Sequence, residues 1–194
     1  MSRDDKQSRF LALLRPIEGD LERYCRRMVF EQSHFADALQ NAVLRGYRAF
    51  DRYREDASFR AWMFKILTNE ISALNRKRRR IAHVEVRIAA DEIDSFPASA
   101  SAADEPADSW AELSESLDEE IVGALEILND GERAVLLLRA IGQLRYREIS
   151  ECMGIPLGSV MGNLSRARQK MRDAILRARR LRRATTQHEG GRSS

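Results

Sequence analysis

The chain has 194 residues, with 33 Lys and Arg against 30 Asp and Glu, for a formal net charge of +3. A hydrophobic share of 43% beside 32% charged residues is enough to pack a core, which argues against wholesale disorder. No apolar run is longer than that from Ala134 to Leu138, far short of the roughly 20 residues a membrane span needs, and MSRDDKQSRF has no apolar stretch of signal-peptide type, so a cytoplasmic chain without membrane insertion is expected.

No segment alternates with a strand's period of two, whereas helical spacing recurs. The first helix is expected over about Phe10 to Phe30, bent near Pro16, where the ring removes a backbone donor. In 35–50, Phe35, Leu39, Ala42, Val43, Gly46, Tyr47 and Phe50 share one face. In 59–74, Phe59, Trp62, Met63, Ile66, Leu67 and Leu74 do the same, and Ser58 is placed to cap the start. Ile121, Leu125 and Leu128 mark a later helix. Asn129-Asp130-Gly131 ends it and offers a cap for the next, through Val135 and Leu138. With no sheet to cover, these stripes must bury helix on helix, so the fold class is all-α.

The small net charge conceals three blocks. Residues 1–87 carry net +7, 88–132 carry 14 acidic residues and no Lys or Arg, and 133–194 carry net +10. The middle of the acidic block is rich in Ser, Ala and Pro and cannot bury enough apolar surface to order itself. The expected organisation is two small helical domains, 1–83 and 119–183, joined by a flexible acidic linker, 84–118. A disordered tail, 184–194, follows. Two basic surfaces held apart by an acidic spacer suit a polyanionic partner.

The segment LRYREISECMGIPLGSVMGNLSRARQKMR has the spacing of a helix-turn-helix. Small Ser150 lets two helices cross, Gly154 can take the left-handed turn conformation, and Pro156 suits the first turn of the second helix. That helix turns Ser159, Met161, Gly162, Asn163, Ser165 and Arg166 outward, followed by Arg168, Lys170 and Arg172. Short polar groups near its start can reach base edges, and the cations beyond can neutralise phosphates. A helical hairpin with a solvated basic face remains the alternative.

In the first domain, the face of the 59–74 helix opposite the apolar stripe carries Arg60, Phe64, Lys65, Thr68, Asn69, Ser72 and Arg76. Cations with an aromatic and an amide suit an unpaired base, stacked and read at its edge. The run Arg76 to Arg80 is either a phosphate clamp or a solvated helix end. Trp62 belongs to the core stripe, and Cys25 and Cys152 read as small core residues. Trp110 stands in the acidic linker, where it either docks on a partner or packs locally. With no CxxC and with His34, His83 and His188 scattered, no disulfide, metal site or cofactor is expected.

Together the two stretches resemble the extracytoplasmic-function sigma factors of bacterial RNA polymerase, over roughly 10–83 and 119–177. FRAWMFKILTN resembles that family's helix for the minus-ten promoter element. DALQNAVLRGYRAFDRY resembles its polymerase-binding helix, and the helix-turn-helix segment its reader of the minus-thirty-five element. The resemblance implies core RNA polymerase and promoter DNA as partners, an anti-sigma factor as a further candidate partner, and no covalent chemistry. Asp37, Gln40, Asn41 and Arg45 fall on the implied polymerase face, with Asn41 where the family usually has Glu. Tyr53 to Ser58 matches the loop that pockets a flipped base, a step costing a few kcal/mol. Asn69 lies beside that pocket, and Thr68 stands where Arg is common. Val160-Met161-Gly162-Asn163 replaces the frequent Val-Lys-Ser-Arg, so two cations are missing and an unusual or weaker upstream contact is expected. Two other readings stay open: a stand-alone helix-turn-helix regulator, and a sigma mimic that titrates an anti-sigma partner.

Overall fold

The computed structural model describes residues 3–54, 57–82 and 119–190. Among the described residues there are eight α-helices and no strand. The expected bent helix is two: α1 spans Arg3–Leu14 and α2 spans Glu18–Met28, separated by a 3-10 turn over Arg15–Ile17 that contains Pro16. The proline thus breaks the helix rather than bending it. α3 spans Phe35–Ala49 and α4 spans Phe59–Ala82, the latter capped by Ser58, whose Oγ accepts from the Ala61 amide at 3.2 Å.

Ring packing holds the first domain together. Phe10 meets Tyr47, Phe50 and Phe59 edge-on, with centroids 5.6, 5.3 and 5.8 Å away. Trp62 joins Phe50, Tyr53 and Phe59, as the apolar stripe predicts. Gly46 lets α3 and α4 approach, because a Cβ there would lie 2.7 Å from the Met63 sulfur. Cys25 is fully buried, and burial pushes its thiol up to about 12.

The second domain has α5 over Glu119–Glu126, α6 over Asp130–Ala140, α7 over Tyr146–Met153 and α8 over Leu157–Gly190. Asn129 caps α6 as the sequence suggests: its Oδ1 accepts from the Glu132 amide at 2.8 Å, and the Glu132 carboxylate accepts from the Asn129 amide at 3.2 Å. All of Ala134 to Leu138 is buried. α8 continues to Gly190, so the expected disordered tail is helical as far as 190. The linker expected over 84–118, with Trp110, lies outside the described residues, as does His83.

The domains pack against each other, α4 on α7 and α2 on α6. The α7–α8 turn rests on Gly154, at φ 67° and ψ 31°. Ser150 secures it, donating its Oγ hydrogen to the Ile155 carbonyl at 2.6 Å. Replacing Gly154 by Ala should cost about 1–2 kcal/mol of unfolding free energy, because an L side chain is disfavoured there. Gly154→Asn should cost less, since Asn tolerates that conformation. Denaturant unfolding of the two variants side by side checks the order.

Candidate nucleic-acid interface

The helix-turn-helix is positioned by its apolar residues. Ile149 and Cys152 of α7 and Val160, Leu164, Ala167 and Met171 of α8 are buried, which fixes which face of α8 is free. Ser159, Ser165 and Arg166 are exposed, while Gly162, Asn163, Arg168 and Lys170 are half-buried. Met161 does not face outward: it is half-buried and packs against the core. The physical reason is its place beside Val160, at the edge of the stripe rather than opposite it.

The outward cations of α8 are tied together. Arg166 donates from Nη2 to Asn163 Oδ1 at 2.9 Å, lying back over the preceding turn. A Cβ on Gly162 would come 3.4 Å from Arg166 Nη1, so the guanidinium runs beside the bare glycine. Arg166 thus brings a positive group to positions 162–163, where the sequence has none. On its other side, Arg166 Nε is 3.6 Å from Glu132. Lys170 Nζ donates to both Glu132 oxygens, at 3.0 and 2.8 Å.

On α4 the expected base-reading face divides. Lys65, Asn69 and Arg76 are exposed and Ser72 is half-buried. Phe64 and Thr68 are buried, which corrects their placement among the DNA-facing residues. Phe64 packs edge-on to Tyr24 of α2, with centroids 5.3 Å apart. Thr68 donates to the Phe64 carbonyl at 2.7 Å and pairs with the Tyr24 hydroxyl at 2.9 Å. The cause is that α4 packs on α2 as well as α3, so its buried arc is wider than one stripe. The signal was present: Phe64, Thr68, Ile71 and Asn75 repeat at spacings of four, three and four. Arg60 is half-buried and occupied, donating to Asp20 at 2.7 Å and to the Ile141 and Gly142 carbonyls at 3.5 and 3.4 Å.

Those last contacts cross between domains, as does the Cys152 thiol, 3.6 Å from Thr68 Oγ1. Burial pushes that thiol up to about 11. Arg133 of α6 also lies over the Phe30 ring, 5.9 Å from its centroid. One flank of α4 is therefore covered by α7 and the turn before it.

On α3, Asp37, Gln40, Asn41 and Arg45 are all exposed on one side. Arg45 forms an ion pair with Glu70 of α4. Leu44 sits among them at 44% exposure and was missed by the sequence reading. An apolar residue one turn beyond Gln40 on an otherwise polar face was the available signal. Among the described residues no helix is long and apolar enough to cross a membrane, and no group of three or more potential ligands gathers to hold a metal.

Residues 13–81 match the family described as Sigma-70 region 2, and residues 118–171 match Sigma-70, region 4. The ECF RNA polymerase sigma factor SigG of Mycobacterium tuberculosis is 29% identical over 181 residues, covering 87% of this chain and 49% of that protein. The chain thus spans about half the length of that relative. The ECF RNA polymerase sigma-E factor of Escherichia coli is 29% identical over 140 residues, 72% of each chain. Among solved structures, the sigma factor RpoE of Bartonella quintana, in complex with the anti-sigma factor NepR, superposes with a TM-score of 0.65 at 20% identity. It covers 90% of this chain and 98% of its own. CnrH, in complex with the cytosolic domain of CnrY, gives 0.59 at 23%, covering 89% and 90%. Two sigma-70 regions in this order, on an all-helical fold shared with sigma factors, mean that the chain belongs to the sigma-70 family, among its extracytoplasmic-function members.

Proposed function

We propose that the chain is a transcription initiation factor that binds core RNA polymerase through α3 and recognises promoter DNA with both domains. The observation that carries this reading is the pairing of two different surfaces in one chain. One is an exposed, polar and basic helix-turn-helix face on α8, suited to duplex DNA. The other is the exposed Asp37, Gln40, Asn41, Arg45 face of α3, where Leu44 adds the apolar contact typical of a protein partner. The domain bounds of this reading are 1–83 and 119–190, with the acidic segment 84–118 between them. The chain makes no covalent step itself and works in the cytoplasm beside the polymerase.

Within α4, Lys65, Asn69, Ser72 and Arg76 are assigned to the minus-ten strand, while Phe64 and Thr68 support the helix from inside. Arg60 becomes available only if it leaves the Ile141 and Gly142 carbonyls. Use of Arg60 in promoter opening on this reading therefore requires the turn before α7 to move off α4. An anti-sigma factor, of the kind in complex with the RpoE sigma factor, is a further partner on this reading.

Reconstituted transcription tests the whole reading. Core polymerase with the chain should yield specific transcripts from a genomic promoter pool that core enzyme alone does not. Duplex binding without polymerase binding would make the chain a stand-alone helix-turn-helix regulator. Binding to an anti-sigma protein alone would make it a sigma mimic.

Lys65→Ala with Asn69→Ala should lower open-complex formation while leaving the melting temperature within error. Phe64→Ala should instead cost about 3–5 kcal/mol of stability. Permanganate footprinting and thermal unfolding separate the two effects.

Cys152 reports the domain contact. In the free chain a maleimide should label Cys152 slowly, and polymerase with promoter DNA should speed it at least tenfold. Cys25, inside the first domain, should stay protected throughout. Equal Cys152 labelling in both states would mean that the contact does not open.

A further inference from the structure

Glu132 is an acidic residue, yet it is only 1% exposed. It is the third residue of α6, where the helix N-terminus favours an anion and where its carboxylate completes the cap with Asn129. Neither interaction neutralises it. A buried carboxylate needs a cationic partner, because unpaired charge in the interior costs several kcal/mol. Both partners come from α8: Lys170 contacts both oxygens, and Arg166 Nε lies 3.6 Å away.

Arg166 and Lys170 are also two of the cations that the sequence pattern alone would offer to DNA phosphates. They cannot serve both charges equally. Lys170 Nζ makes two charge-assisted hydrogen bonds to a carboxylate that has almost no access to water. Giving it to a phosphate would strand Glu132. Arg166 is held differently. Its Nη2 is fastened to Asn163, and its guanidinium lies forward over Gly162.

We infer that Glu132 is a positioning residue that apportions the charge of the recognition helix, withholding Lys170 from phosphate and steering Arg166 toward the base-reading end. The interior carboxylate thereby reduces non-specific backbone attraction. The inference rests on the proposed contact of α8 with DNA. It deepens that contact by naming which cation is absent from it.

The test is the salt dependence of DNA binding, because the slope of log K against log [salt] counts phosphates neutralised, at about 0.9 each. The full chain is titrated with a 30-base-pair duplex of arbitrary sequence between 50 and 200 mM KCl, read by fluorescence anisotropy. Glu132→Gln keeps the hydrogen bond to the Asn129 amide, since Gln also serves at that capping position, but removes the charge. The expected result is a slope steeper by about 1 and binding roughly fivefold tighter at 100 mM KCl. An unchanged or shallower slope overturns the inference.

Lys170→Gln supplies the second arm, should Glu132→Gln fold poorly. It should leave the slope unchanged, because the lysine does not contact DNA. A slope shallower by about 0.9 would make Lys170 a phosphate ligand and overturn the inference. No duplex binding by the unaltered chain at 50 mM KCl would overturn the DNA reading itself, and this one with it. Binding with the wrong slopes overturns this one alone.

Discussion

The hydroxyl of Thr68 lies where three helices meet, and the arrangement of both domains passes through it. Its one hydrogen goes to the Phe64 carbonyl, 2.7 Å away in its own helix. Its oxygen must then accept, so the Tyr24 hydroxyl at 2.9 Å and the Cys152 thiol at 3.6 Å are donors. The hydroxyl is satisfied by α4, α2 and α7 at once. Tyr24 is fully buried, and the loss of water drives its phenol pKa up, so it remains a neutral donor at any physiological pH. A buried hydroxyl with this set of partners locks α4 against α2, and it leaves α7 the weakest of the three contacts, held by a thiol.

That ranking bears on function. The contact of α4 with α2 is built from rings and well-formed hydrogen bonds, as a permanent core is. The contact of α4 with α7 and the turn before it adds to helix packing only a weak thiol donor and long bonds of Arg60 to the Ile141 and Gly142 carbonyls, at 3.5 and 3.4 Å. A molecule whose two DNA-reading elements face different parts of a promoter needs one durable interface within each domain and one dispensable interface between them.

The sequence was legible where one residue type alone satisfies a local geometric demand. Gly154 answers a left-handed turn, Asn129 an uncapped helix start, and Ser58 another, so all three could be placed without neighbours. Phe64 and Thr68 were misplaced because a single amphipathic stripe has no way to announce a second packing partner. α4 touches α2, α3 and α7, so its buried arc runs well past the Phe59, Met63 and Leu67 line. Arg60 belongs to the polar face by its spacing, but its ion pair with Asp20, 40 residues earlier, depends on a crossing angle that no local pattern encodes.

Glu132 marks the other limit. As the last acid of a block of 14, it reads as part of a solvated acidic stretch. In three dimensions that block does not belong to one environment, because α5 and the start of α6 fold into the second domain. The charge boundary at Arg133 therefore runs through a helix, one residue beyond its third position. An acid inside a basic domain is not a flaw in the polyanion-binding design. A helix face with every cation free would hold any duplex tightly, whatever its sequence. Burying one counter-charge beneath the recognition helix, and laying Arg166 across Gly162, moves positive charge from the backbone-facing end toward the end that reads bases. The cations missing from Met161 to Asn163 and the acid hidden at Glu132 are then two parts of one arrangement, in which the chain limits its total attraction to DNA and concentrates what remains.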